Sequence, residues 1–165
     1  MYLLKRFVPE DDILNLYSFI FDKNMLIKMP RQPIVHSKNE FADWLVRQLQ
    51  GFYHDLYLVY NEQQVIGYML SFDYRVYDGH CQIYGVCDRS ISCELLRQFI
   101  DWLCSEYPLR KIFLSVTKKE DELMKVAKKV GFLEETCLNE YKYIDGQYMD
   151  MYILSYLIGS DLDGK

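Results

Sequence analysis

The sequence predicts a mixed α/β (α+β) fold: a central, mostly antiparallel, twisted sheet of about seven strands flanked by four helices. Three observations lead there. Segments of period-two hydrophobicity outnumber those of period 3.6. Several of the strand segments are joined by short turns, among them Asp78-Gly79 and Asp145-Gly146, which are hairpin signals. The helical segments carry their own start and stop chemistry and are interspersed among the strands in the order β-α-α-β-β-β-α-β-α-β-β, which makes the sheet mixed.

Each element has a local justification. Residues 2–7 form a short strand. Pro9, Asp11 and Asp12 open a helix that places Ile13, Leu16, Tyr17 and Ile20 on one side, since proline and acids suit a first turn. Residues 25–36 contain Pro30 and Pro33 and read as an irregular loop. Ser37 and Glu40 make a capping box for a second helix with Phe41, Leu45 and Leu49 inward and Gly51 as its stop. Strands follow at 55–60, 65–74 and about 82–86. Asp88, Arg89 and Ser90 form a polar turn. A third helix then presents Ile91, Leu95, Leu96, Phe99 and Leu103 on one face until Pro108 breaks it. Residues 111–116 are a buried strand, and 120–130 a helix with Leu123, Ala127 and Val130 inward and Gly131 at its end. Strands at 138–144 and 147–157 close the chain. Residues 1–158 are expected to form one domain and 159–165 a flexible tail.

Composition narrows the function. The chain has 165 residues and an acidic balance, with a net charge of −5, which argues against a nucleic-acid partner. No apolar run is long enough to span a membrane. The N-terminus lacks a signal peptide's apolar centre, and the five cysteines are odd in number with no Cys-x-x-Cys pair, so reduced thiols in a cytoplasmic protein are expected. Three scattered histidines offer no zinc-ligand spacing.

The stretch from Cys81 to Tyr107 carries the functional signal. A strand that turns sharply into a helix aims free N–H groups and a positive dipole end at one point, a ready site for a phosphate. Ser90 or Ser92 at that turn either caps the helix or contacts such a ligand. Gly85 reads as a packing glycine or as a close backbone approach. Cys87 is an inert thiol or, with His54 or His80, a nucleophile. Lys118, Lys119, Lys125, Lys128 and Lys129 form a solvated face or a phosphate contact.

The string Val130-Gly131-Phe132-x-Glu134-Glu135-x-x-Leu138, followed by Tyr141, Gly146, Tyr148, Asp150, Met151, Tyr152 and Leu154, together with the element order, resembles the GNAT acetyltransferase superfamily over nearly the whole chain. It is most similar to the branch of ribosomal-protein N-terminal and polyamine acetyltransferases. The resemblance implies acetyl-CoA as co-substrate and transfer of acetyl to a small-molecule or peptide amine by direct attack in a ternary complex, in a monomer or homodimer. It places the pyrophosphate on the turn, over Val86, Asp88, Arg89, Ser90, Ile91 and Ser92. There the family carries Gln/Arg-x-x-Gly-x-Gly/Ala, while this chain has Ser90 and Ser92 at the glycine positions and a loop shorter by several residues. A seryl backbone N–H still serves, and Arg89 adds a charge-assisted contact.

The oxyanion donor would come from the backbone at about residues 84–86. Many relatives carry a Tyr four residues before the Gly of Gly-Phe, which protonates the thiolate; that position is Ala127 here, and the Asn that often opens the helix is Glu120. That leaves the acid unnamed: Tyr84, Tyr141, Tyr148 and Tyr152 could each protonate the thiolate, and the catalytic candidates are Tyr84, Asp73 and Tyr152, with Asp73 as base. Gln82 stands where some relatives have a carboxylate, and Asp150 is either catalytic or conformational. The reading from a different class is an impaired domain of this kind, serving as a ligand-binding or protein-interaction module.

Overall fold

The structure is a computed structural model that describes residues 2–22, 37–88 and 91–159. The loop expected at 25–36, the turn residues Arg89 and Ser90, and the end of the tail lie outside the described residues. The elements are β1 (Tyr2–Arg6), α1 (Pro9–Asp22), α2 (Lys38–Gly51), β2 (Tyr53–Asn61), β3 (Gln64–Arg75), β4 (His80–Cys87), α3 (Cys93–Glu106), β5 (Lys111–Thr117), α4 (Asp121–Val130), β6 (Leu133–Ile144) and β7 (Gln147–Leu157). The seven strands lie in one sheet in the order β1-β2-β3-β4-β5-β7-β6. The pair β4–β5 is parallel, whereas β1–β2, β2–β3, β5–β7 and β6–β7 are antiparallel.

The chain falls into two compact units: Met1–Asp73 with Tyr84–Ser90, and Tyr74–Ile83 with Ile91–Lys165. In the first, α1 and α2 bury Leu16, Ile20, Phe41 and Leu45 with Leu58, Tyr68 and Leu70 of the strands. Each such side chain taken from water contributes about 1.5–3 kcal/mol. Ser37 caps α2, its Oγ accepting from the Glu40 amide at 3.2 Å. The helix stops at Gly51, as the sequence predicts. Phe52 caps it, its N–H donating to the Gln48 carbonyl, and buried Tyr53 begins β2 with no loop between.

Asp12 ties this unit together. Its carboxylate is almost fully buried and accepts from the Val8 amide at 2.9 Å, from Tyr60 Oη at 2.9 Å and from Lys5 Nζ at 3.0 Å. Burial pushes its pKa up, but these three donors outweigh that and hold it below the ordinary carboxylate range.

In the second unit, α3 buries Leu95, Leu96, Phe99, Ile100 and Leu103, as its spacing predicts, and β5 contributes Ile112, Leu114 and Val116. Gly131 ends α4 at φ 120°, its N–H donating to Ala127 and Lys128. β6 begins at Leu133, five residues before the predicted start at Leu138. It is the outermost strand, exposed on both faces along most of its length, so it has no alternation for a pattern to reveal. A bulge interrupts it: Glu140 takes φ 49°, and its amide donates to Asp150 Oδ1 on β7 at 3.0 Å.

Candidate active site

β4 runs to Cys87 and α3 starts at Cys93, so strand passes to helix within a few residues. In the first unit the end of β4 is pressed against β3. A Cβ on Gly67 would lie 2.4 Å from the Val86 carbonyl oxygen and 2.9 Å from Cys87 Cα, so only glycine permits this backbone approach. The Asp88 amide then donates to the Ile66 carbonyl at 2.7 Å, holding the chain on β3 to the last described residue before the turn. The sequence leaves Gly85 as either a packing glycine or a close approach; it is buried within β4. The glycine demonstrably needed is Gly67, and its only sequence signal was an isolated glycine inside a strand pattern.

In the second unit, Ser92 is the N-cap of α3. Its backbone is extended (φ −79°, ψ 155°), its Oγ accepts from the Leu95 amide at 3.1 Å, and its carbonyl accepts from the Leu96 amide. The Ser92 hydroxyl is therefore engaged by the helix itself. The amides of Cys93 and Glu94, at the first two helical positions, have no acceptor within the helix. They are the donors this turn can offer an anion. Glu94, an exposed acid in the first turn of the same helix, places negative charge near them.

The other predicted residues are distributed as follows. Tyr84 and Val86 are buried in the hydrophobic core of the first unit. Asp73 is half-buried near the end of β3 and takes φ 49°, a left-handed backbone seldom held by a non-glycine residue. Ile91 is buried ahead of α3. Tyr152 is half-buried on β7, paired with Val116 on one side and Cys137 on the other. Asp73, Tyr84, Val86 and Asp88 thus belong to the first unit, and Ile91, Ser92 and Tyr152 to the second.

Asp150 has a conformational task, fixing the β6 bulge, and Lys118 Nζ approaches its other oxygen at 3.6 Å. The neighbouring lysines are committed to acids: Lys119 to Asp145, Lys125 to Asp121 at 2.6 Å and Glu122 at 3.1 Å, and Lys128 to Glu134 at 3.0 Å. These pairs fit the solvated-face reading of the cluster. Among the described residues no group of three or more metal-ligating side chains is present.

The family profile for the acetyltransferase (GNAT) domain matches residues 10–153, most of the chain. The chain belongs to the GNAT acetyltransferase family. Membership makes it an N-acetyltransferase with acetyl-CoA as co-substrate. No curated protein matches it significantly by sequence. Solved GNAT structures share the fold over nearly the full length. The ribosomal L7/L12 alpha-N-protein acetyltransferase RimL, in complex with coenzyme A, is 15% identical with a TM-score of 0.80, the match covering 97% of this chain and 96% of that one. The ribosomal-protein-S5-alanine acetyltransferase from Vibrio fischeri is 17% identical with a TM-score of 0.79, covering 96% and 94%. Spermidine N-acetyltransferase from Vibrio cholerae, in complex with CoA and spermine, is 16% identical with a TM-score of 0.79, covering 94% and 95%.

Proposed function

We propose that this GNAT chain moves the acetyl group of acetyl-CoA to a primary amine by direct attack in a ternary complex, with the CoA pyrophosphate at the turn between β4 and α3. The observation that carries the placement is the capped start of α3. Ser92 satisfies the Leu95 amide and leaves those of Cys93 and Glu94 as anion donors. The loss of the family glycines at Ser90 and Ser92 is compatible with this, because a helix start supplies its N–H groups whatever the side chain. Asp88 and Arg89 flank the same turn, and Arg89 is assigned a charge-assisted phosphate contact. Tyr152 and Tyr84 are the proposed sources of the proton for the thiolate, and Asp73 the proposed base.

The acceptor is drawn from the class of compact polyamines and peptide N-termini, the amines acted on by the proteins of the same fold named above. Thermal melting with and without acetyl-CoA tests the co-substrate. At 100 times the dissociation constant it should add about 2.7 kcal/mol of stability, and no shift at millimolar acetyl-CoA would sink the proposal. Thiol release is then followed across polyamines, aminoglycosides and peptide N-termini. Stabilisation without thiol release from any amine would favour a binding module instead.

A further inference from the structure

The second unit contains a cleft of about 400 Å³ at the start of β4 and β5, at the opposite end of β4 from the turn. His80 and Lys111 are register partners on the two parallel strands, and Leu157 of β7 is paired with Lys111. Phe113, two residues along β5, shares their face. The His80 ring stands edge-on to Phe113 at 5.5 Å and 89°. One side of the cleft is thus an apolar wall of Phe113 and Leu157.

Two cations, Arg110 and Lys111, line the same cleft. Lys111 Nζ is held 2.6 Å from Glu135 and 5.0 Å from the centroid of the Phe113 ring. Arg110 precedes it, its side chain lying over Gly79, where a Cβ would meet Arg110 Cγ at 3.1 Å. Gly79 takes φ 66°, and its carbonyl accepts from the Arg110 and Lys111 amides at 2.6 and 3.2 Å, so the backbone under the two cations is fixed. Among the described residues, the Arg110 guanidinium has no acidic partner. The one acid lining the cleft, Asp78, lies 3.9 Å from His80 Nε2. His80 Nδ1 is buried with no hydrogen-bond partner among the described residues, an open valence of the kind that water or a ligand group completes.

We propose that this cleft binds a small aryl anion, a phosphate monoester or carboxylate, with its charged head on Arg110 and Lys111 and its ring against Phe113 and Leu157. An uncommitted guanidinium beside a second cation suits a bidentate anion. The volume is within the range of small-molecule sites. The site uses none of the residues assigned to acetyl transfer.

The test is titration of the isotope-labelled protein with phenyl phosphate, followed by backbone amide resonances, in the presence and absence of saturating acetyl-CoA. Saturable shifts are expected at Gly79, Phe113, Leu157 and Gly159 under both conditions. Inorganic phosphate and phenol, which each supply half the ligand, should bind at least about tenfold more weakly. Arg110→Ala, at an exposed position, should keep the native spectrum and weaken phenyl phosphate about tenfold or more. Phe113→Leu, as the second variant, should weaken phenyl phosphate and leave inorganic phosphate unaffected. The proposal is overturned if these resonances do not move at 10 mM (about the weakest binding of interest), if Arg110→Ala binds as tightly as wild type, if phosphate alone binds as well, or if acetyl-CoA abolishes the shifts.

Discussion

At Gly67 the structure places a demand on one hydrogen atom. A methyl group there meets backbone, not a flexible side chain, so β3 or β4 must move. Gly67→Ala is expected to cost about 1–3 kcal/mol, the range for overpacking, and to raise KM for acetyl-CoA because the displaced segment leads into the turn. Urea unfolding and steady-state kinetics on one preparation check both effects. Asp12 is the second residue with a measurable signature. Its folded pKa is depressed by the Val8, Lys5 and Tyr60 donors despite burial. A depressed carboxylate adds stability that is complete above its unfolded value, about 3.9, and is lost as pH falls through the folded value. Lys5 has the opposite sign, its pKa raised chiefly by the hydrogen bond to Asp12, so its share is complete below its unfolded value and lost as pH rises through the folded one. Asp12→Asn should therefore be less stable than wild type by about 1–3 kcal/mol at neutral pH, with the gap closing below about pH 4. A gap that persists unchanged at pH 3 would show that the charge of Asp12 is not what the unit relies on.

Among the elements, the first turn of α3 separates two uses of one serine. Ser92→Ala should cost about 1 kcal/mol and Ser92→Gly only a few tenths, because glycine is tolerated at an N-cap. If the hydroxyl serves only as the cap, CoA affinity in the glycine variant stays within twofold of wild type; a tenfold loss in both variants would assign the hydroxyl to the ligand. Glu94, an exposed acid in the first turn, complements the helix dipole and so repels an anion drawn to the same end of the helix. Glu94→Gln should slightly lower helix stability and tighten acetyl-CoA, each by about 0.3–1 kcal/mol at low salt. Isothermal titration at two ionic strengths measures the second effect, which should shrink as salt rises. The legibility of these elements follows their burial. The inward face of α3 was readable because Leu95, Leu96, Phe99 and Leu103 are all buried, although Ile91 lies ahead of the helix and buried Ile100 was not foreseen. The early start of β6 was not, because Glu134, Glu135 and Thr136 are exposed on an outer strand and write no period into the sequence. The Ser37–Glu40 cap was visible as a pair of residue types at fixed spacing, and its serine half is formed, Ser37 Oγ accepting from the Glu40 amide.

For the molecule as a whole, the order of elements carried more information than any single motif. That order, together with the string from Val130-Gly131-Phe132 to Leu154, points to the family that the profile over residues 10–153 shows. The site was less legible, since it depends on which backbone amides remain after caps and ladders have taken their share. Gly67 illustrates this: its neighbours across the sheet are some twenty residues away in sequence. The lysine cluster shows the converse, a charge pattern whose partners, Asp145 and Asp150, sit on the closing hairpin. That hairpin has a further consequence for the life of the protein in a crowded solution. An outermost strand of twelve residues is a template on which another chain can condense. The kink at Glu140, clasped by Asp150, breaks the row of backbone donors and acceptors midway. Asp150→Ala should loosen that clasp and straighten the edge, and light scattering on heating should rise at lower temperature than in wild type.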